Sequence, residues 1–204
     1  MGGGKKKPSA FSKLTSDPLR PDEFEAIKDE LVNGPDRSAA IMGASLVELS
    51  LTRAIAARMV IKSQKQFGEL FQDTGAPLAT FYSKTLMGRA MGIYGQRVEG
   101  FLHTVRRVRN VFAHSPRSFS FELESIAVHL DKLPAAKLSE STLPNLSIED
   151  AEIGPHRARF IAVAINLLIV LEDAFDQHIK RPKEVFIPDG KDPVNIQRLP
   201  RKSR

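Results

Sequence analysis

The residues of this sequence best suited to chemistry lie between positions 106 and 115, which read Arg-Arg-Val-Arg-Asn-Val-Phe-Ala-His-Ser. Arg109 is followed at once by Asn110 and, five residues on, by His114. Arginine can hold a phosphate through two parallel hydrogen bonds, and histidine changes charge near neutral pH and can transfer protons. If these side chains line one cleft, they could form a small RNA-cutting site.

A structural role accounts for the same residues. Arg109 could pack against a neighbouring acid, and His114, as a cation, could stabilise the negative end of a helix. Both interpretations stay open at the level of the residues, because each needs only a helix that ends near position 114.

The segment around these residues has the spacing of an amphipathic helix. One stripe at helical spacing is apolar and predicts the buried face: Phe101, Val105, Val108 and Phe112. A second stripe is polar: His103, Arg107, Asn110 and His114. Arg109 lies at the margin of the apolar stripe. It therefore needs a carboxylate or carbonyl partner, since an unpaired buried charge is costly.

Glu48 is the acid that we expect to pair with Arg109. It lies in the most apolar segment of the chain, with apolar residues three, four and seven positions away, and a carboxylate in such surroundings needs a cation. Arg53 is a less suitable partner because it lies on a different face of the same helix. The alternative is that Glu48 faces solvent beside Ser45 and Thr52.

Hydrophobic periodicity is helical throughout the chain, with no sustained alternation typical of strands. We predict seven helices, at residues 21–32, 36–62, 66–71, 80–91, 98–114, 121–133 and 155–178. Asp36 is expected to cap the second helix, Gly92 to end the fourth, and residues 134–147 to form a long loop. The second helix is apolar on nearly every face and should be central. The pattern predicts an all-α fold, a single compact helical bundle.

The net charge of +6 is concentrated at the two ends of the chain. Residues 1–20 carry five Lys/Arg and one acid, and residues 180–204 carry eight Lys/Arg and three acids, which leaves −3 for the rest. We predict disordered basic tails at 1–19 and 182–204 around a domain at 20–181. The tails could contact phosphates without sequence specificity or simply keep the protein soluble.

Several classes of protein are excluded or disfavoured by composition. The chain has no cysteine, which excludes disulfides, zinc ribbons and thiol nucleophiles. We find no apolar run near the roughly 20 residues of a membrane span and no apolar signal-peptide core. We also find no metal-ligand spacing and no phosphate-binding loop. We therefore expect a cytoplasmic protein without membrane attachment, cofactor or metal.

These motifs resemble those of the mannitol operon repressor (MltR) family. The segments that carry the resemblance are Leu78-Ala79-Thr80-Phe81, Ala90-Met91-Gly92-Ile93, Val108-Arg109-Asn110-Val111-Phe112-Ala113-His114-Ser115 and Ser118-Phe119. The similarity covers roughly residues 36–130. The chain departs from the family at Leu86, where a lysine is expected, and at Ala79, where a glycine is expected.

The Arg-Asn-x-x-x-His arrangement also resembles the motif of HEPN domains, all-helical modules that include ribonucleases. In those enzymes an arginine and a histidine from each of two protomers meet across a dimer and cleave RNA without a metal. The resemblance implies that Arg109, Asn110 and His114 are catalytic if this chain is a ribonuclease. The residues expected to support them are Glu48, His103, Arg106 and Arg107.

Two functions follow from these resemblances. One is an MltR-like regulator that acts on transcription through a protein partner, without a DNA-reading helix of its own. The alternative is a HEPN-type metal-independent endoribonuclease, with RNA as its partner. In either case we expect a homodimer with the helix of residues 98–114 near its axis, so that the polar stripe lines a shared cleft.

Overall fold

The computed structural model describes residues 21–134 and 153–179. These residues contain seven helices and no strand, which confirms the all-α fold: α1 (Pro21–Asn33), α2 (Asp36–Ala56), α3 (Gln64–Phe71), α4 (Phe81–Ala90), α5 (Gln96–His114), α6 (Glu124–Leu130) and α7 (Pro155–Ile179). The predicted tails at 1–19 and 182–204, and the predicted loop beyond position 134, lie outside the described residues.

Helix α2 is the centre of the bundle, as its apolar faces predicted. It packs against α1, α4, α5 and α7, most extensively against α7. Small side chains allow the close approach of α7: a Cβ at Gly43 would lie 3.1 Å from the ring of Phe160. The fully buried residues of α2 are Ala39, Ala40, Ala44, Val47, Leu51, Ala54 and Ile55. Because four helices pack against it, this helix positions α1, α4, α5 and α7 relative to one another.

Helix α2 ends at Ala56, six residues before the predicted end. The apolar pattern continues past this point because Met59 and Ile61 still pack against the core from the segment that follows. Arg58 fixes that segment by donating to the carbonyl oxygens of Ala54, at 3.0 Å, and Ala174, at 3.1 Å. The helical spacing of apolar residues thus continues beyond the end of the helix. The prediction that the helix extends to residue 62 was therefore wrong.

By length and composition, α2 is also apolar enough to cross a membrane, contrary to the expectation that no run approaches that length. However, 56% of its apolar window is buried inside the protein. The helix also carries Glu48 and Arg53, both of which form ion pairs with other helices. These features are those of the core helix of a folded bundle.

The start of α2 is held by contacts from distant parts of the chain. Asp36 is the first residue of the helix and not its cap, which corrects the prediction. Its carboxylate accepts from the amide of Phe121 at 3.0 Å and from Arg157 at 3.0 Å. Arg157 also donates to the carbonyl oxygens of Leu31 and Gly34. One guanidinium therefore ties the end of α1, the start of α2 and the start of α7 together.

Helix α4 has well-defined ends. Thr80 and Ser83 form a reciprocal capping box at its start. Gly92 follows its last turn with φ +69°, a conformation that favours glycine, which agrees with the predicted helix end. The hydroxyl of Tyr94 folds back and donates to the carbonyl of Thr85 at 2.8 Å. These contacts fix the rotation of α4 and hence the side chains that it directs at α2.

Helix α6 spans seven residues, from Glu124 to Leu130, and is shorter than predicted. Phe121, which was expected to start it, precedes it and is fully buried. Its ring centroid lies 4.9 Å from that of Phe112 and 5.1 Å from that of Phe160. This aromatic cluster joins the end of α5 to α7.

Candidate functional site

Arg109 and Glu48 form the ion pair that the sequence predicted. The Nη2 atom of Arg109 on α5 lies 3.1 Å from Oε2 of Glu48 on α2. The two side chains are 27% and 19% exposed. The alternative of a solvated Glu48 is therefore wrong, and the predicted contact between the central helix and α5 is confirmed.

A second cation binds the same carboxylate, and sequence analysis did not identify it. Lys84 on α4 donates from Nζ to Oε1 of Glu48 at 2.8 Å, and its side chain is only 9% exposed. The spacing of α4 contained the signal, because Lys84 lies beside Thr85 and between Phe81 and Gly88, all of which are buried. Leu86, which stands where the MltR family suggested a lysine, is exposed.

Glu48 is therefore shared by Lys84 and Arg109, one on each carboxylate oxygen. Removing three charges from water is unfavourable unless their attraction and hydrogen bonds compensate. One carboxylate between two cations leaves the group with a net charge of +1. The arrangement joins three helices, α2, α4 and α5, at one point.

Arg109 also lines a cleft between α4 and α5, which we call the α4–α5 cleft. Its volume is about 720 Å³, and its lining consists of Glu48, Ala79, Thr80, Phe81, Tyr82, Arg106, Arg109 and Asn110. The guanidinium carbon of Arg106 lies 5.3 Å from the centre of the Tyr82 ring. The Nε atom of Arg106 is buried and has no hydrogen-bond partner among the described residues. The cleft thus presents two guanidinium groups and an amide.

The predicted polar stripe does not line one cleft within this chain. Arg107 borders a different depression of about 460 Å³ on the other side of α5, which also involves His129 of α6. Asn110 borders both. His114 is the last residue of α5, is exposed and lines neither cavity. The helix therefore separates Arg109 from Arg107 and carries His114 beyond the cleft.

His103 lies beside the cleft and is not among its lining residues. Its ring centroid is 5.6 Å from that of Tyr82, and its Nε2 atom is 4.0 Å from Glu99. Burial, and then the nearby charges of Arg106 and Arg107, lower the pKa of His103, although Glu99 acts in the opposite direction. A pKa below the usual value makes this ring neutral at pH 7. His103 therefore adds no positive charge to the site.

This arrangement is suited to binding an anion or an acidic surface. Arg106 and Arg109 can donate to carboxylate or phosphate oxygens, and Asn110 can donate and accept. Within the described residues, no group of three His, Cys, Asp or Glu side chains could hold a metal ion. The lining includes the carboxylate of Glu48, which two cations already bind, and it does not include His114.

Comparison with models of protein families, with curated proteins and with solved structures found no match for this chain.

Proposed function

We propose that this protein is a regulator of the MltR type, which acts on transcription through a partner and not through its own DNA-reading helix. The resemblance of residues 36–130 to that family supports the proposal. The α4–α5 cleft, with two arginines and an asparagine at its surface, would contact an acidic segment of the partner. A cytoplasmic location belongs to the same proposal.

The observation that carries this proposal is the separation of the arginine and the histidine within one chain. Arg109 is bound to Glu48 inside the cleft, whereas His114 is exposed at the end of α5 and is absent from the lining. The histidine-dependent cleavage that the HEPN motif implies needs that histidine within hydrogen-bond reach of the bound phosphate. Binding without cleavage therefore fits a single chain better.

One observation favours the HEPN-type metal-independent ribonuclease as a second candidate. The exposed His114 follows Val111, an apolar residue that is 43% exposed on the same helix. An apolar residue beside a free histidine suits a helix face that meets a second copy. In a homodimer with α5 near the axis, His114 of each copy would approach the cations of the other.

An RNA cleavage assay separates the two functions. Purified protein is incubated with RNA in the presence of a chelator, beside the variants His114→Ala and, as a control, His129→Ala. The regulatory function predicts no cleavage by any of them. Cleavage that survives the chelator and disappears only in His114→Ala would establish the ribonuclease.

A second experiment tests the regulatory function directly. Cells that express Arg106→Glu, a cleft variant, are compared with cells that express His114→Ala by transcript sequencing. We expect changed transcripts only with Arg106→Glu, because charge reversal in the cleft repels an acidic partner. Changes only with His114→Ala would contradict the proposal.

Light scattering of the purified chain at micromolar concentration tests the homodimer.

A further inference from the structure

Glu48 also lines a second cavity, which shares no other lining residue with the α4–α5 cleft. Its volume is about 520 Å³, and it is formed mainly by α2 and α3, with Lys84 from α4 and Phe175 from α7. We call it the phenylalanine pocket after its aromatic members, Phe67, Phe71 and Phe175. Leu49, Ala56 and Ala57 complete its apolar wall. Cavities of this size with mostly apolar walls are typical of small-molecule sites.

The polar end of this pocket is cationic. Of the charged residues in its lining, Lys84 and Arg53 are cations and Glu48 is the single acid. Arg53 donates to Glu172 at 3.0 Å, and its guanidinium carbon lies 4.6 Å from the centre of the Phe175 ring. Its position over the ring holds Arg53 at the rim.

Lys84 has unused hydrogen-bonding capacity at this end. An ammonium group carries three donors, and within the described residues Lys84 donates to Glu48 alone. Its side chain is 9% exposed, so bulk water has little access to the two other donors. A buried donor without an acceptor is unfavourable, and a ligand that supplies an acceptor removes that cost.

We propose that the phenylalanine pocket binds a small apolar carboxylic acid, whose carboxylate accepts from Lys84 and whose hydrocarbon part packs against the three phenylalanines. A single negative charge would balance the group of Lys84, Glu48 and Arg109, which carries a net charge of +1, whereas Arg53 is already paired with Glu172. The apolar wall favours a ligand with a hydrocarbon part over a strongly hydrated anion such as free phosphate, which would lose its water against that wall. This assignment does not depend on the function proposed for the α4–α5 cleft.

The test uses decanoate and 1-decanol, which share a hydrocarbon chain and differ in charge, titrated into the full-length protein by calorimetry. We expect saturable binding at one site, with decanoate bound about tenfold more tightly, the ratio that a charged hydrogen bond supplies. Lys84→Met should abolish that preference, because it removes the charged donor that distinguishes the carboxylate from the hydroxyl. Lys62→Met, which alters an exposed lysine outside the pocket, should keep the preference.

A second variant keeps the test decisive if Lys84→Met proves unstable. Ala56→Phe adds a ring to the pocket wall without touching an ion pair, and it should weaken the binding of both compounds. Circular dichroism verifies that each variant is folded. Equal affinity for the two compounds, or binding that survives Ala56→Phe, would overturn the proposal. Binding that survives Ala56→Phe would indicate that decanoate and decanol bind elsewhere on the chain.

Discussion

Lys84 donates to Glu48 across the interface of α4 and α2 at 2.8 Å, and little of either side chain reaches solvent. The lysine is therefore part of the core of the bundle and not of its surface. Its pairing leaves only one oxygen of Glu48 for Arg109. The stability of the interface among α2, α4 and α5 depends on the carboxylate that both cations share.

We expect Glu48→Gln to lower the free energy of unfolding by about 3–5 kcal/mol, the usual cost of leaving buried charges without their counter-ion. Both Lys84 and Arg109 would lose their carboxylate at once. Urea denaturation followed by circular dichroism measures the change. Glu69→Gln is the control, because the Lys65–Glu69 pair is exposed and should contribute less than about 1 kcal/mol.

Removal of either cation alone should cost less than Glu48→Gln. In Arg109→Met and in Lys84→Met the carboxylate keeps one partner, so no charge is left without a counter-ion. The same urea experiment ranks the three variants. A loss in Arg109→Met as large as in Glu48→Gln would show that Lys84 does not support the carboxylate alone.

The glycine at position 88 should not tolerate a side chain. A Cβ there would lie 2.6 Å from the hydroxyl oxygen of Tyr94, so Gly88→Ala must displace the hydrogen bond from Tyr94 to Thr85. We expect a loss of about 1–3 kcal/mol, typical of overpacking. Gly100→Ala is the matched control, because its Cβ meets open space. It should raise stability by up to about 1 kcal/mol, because alanine favours helix. Thermal melts compare the two variants.

The fold was largely predictable because each helix buries an apolar face of period 3.6. The end of α2 was not predictable in this way, because Met59 and Ile61 still pack against the core after the helix ends. Pairing of Glu48 with Arg109 followed from the cost of a lone carboxylate among apolar residues. Lys84 escaped prediction because lysine is seldom buried, and only the rotation of α4 places it against α2.

The position of His114 was unpredictable for a related reason. Its spacing from Arg109 placed both residues on α5, but the cleft forms where the start of α4 faces Arg106, Arg109 and Asn110, and His114 lies one turn beyond them. Which residues line a cleft depends on where neighbouring helices lie, and local periodicity does not contain that information. The polar stripe therefore does not identify the residues of the α4–α5 cleft, and its place in a cleft shared by two protomers stays a prediction.

Acid should weaken the attachment of α7 through Glu122. Burial raises the pKa of this carboxyl, but hydrogen bonds from the side chain and amide of His156, the charge of His156 and the amide of Arg157 together lower it below its ordinary value of 4.5. A folded-state pKa below the unfolded one gives stability that is present above pH 4.5 and is lost as the pH falls through the folded value.

The measurement for Glu122 is the free energy of unfolding between pH 7 and pH 3. The difference in unfolding free energy between the natural chain and Glu122→Gln should be larger above pH 4.5 than at pH 3. Glu124→Gln, a change at an exposed neighbour, should differ little from the natural chain in unfolding free energy at every pH. If the difference in unfolding free energy for Glu122→Gln stays constant with pH, the charge of Glu122 does not stabilise the start of α7.

Arg157→Met should separate the ends of three helices. The variant removes the donors to the carbonyls of Leu31 and Gly34 and leaves Asp36 without its cation. We expect a loss of about 3–5 kcal/mol, together with faster hydrogen exchange at the end of α1. Arg97→Met is the control, since Arg97 is exposed and stacks only loosely on Phe101, at 5.8 Å. Equal exchange in the two variants would contradict this role of Arg157.

Glu48 lines both the α4–α5 cleft and the phenylalanine pocket, and this has a thermodynamic consequence. An acid that accepts from Lys84 would share that cation with Glu48, so that Arg109 would neutralise more of the charge of Glu48 and be less available to a partner. Linkage requires the converse: a partner that engages Arg109 changes the affinity for the acid by the same factor. A metabolite and a partner would then compete across the bundle without ever touching each other.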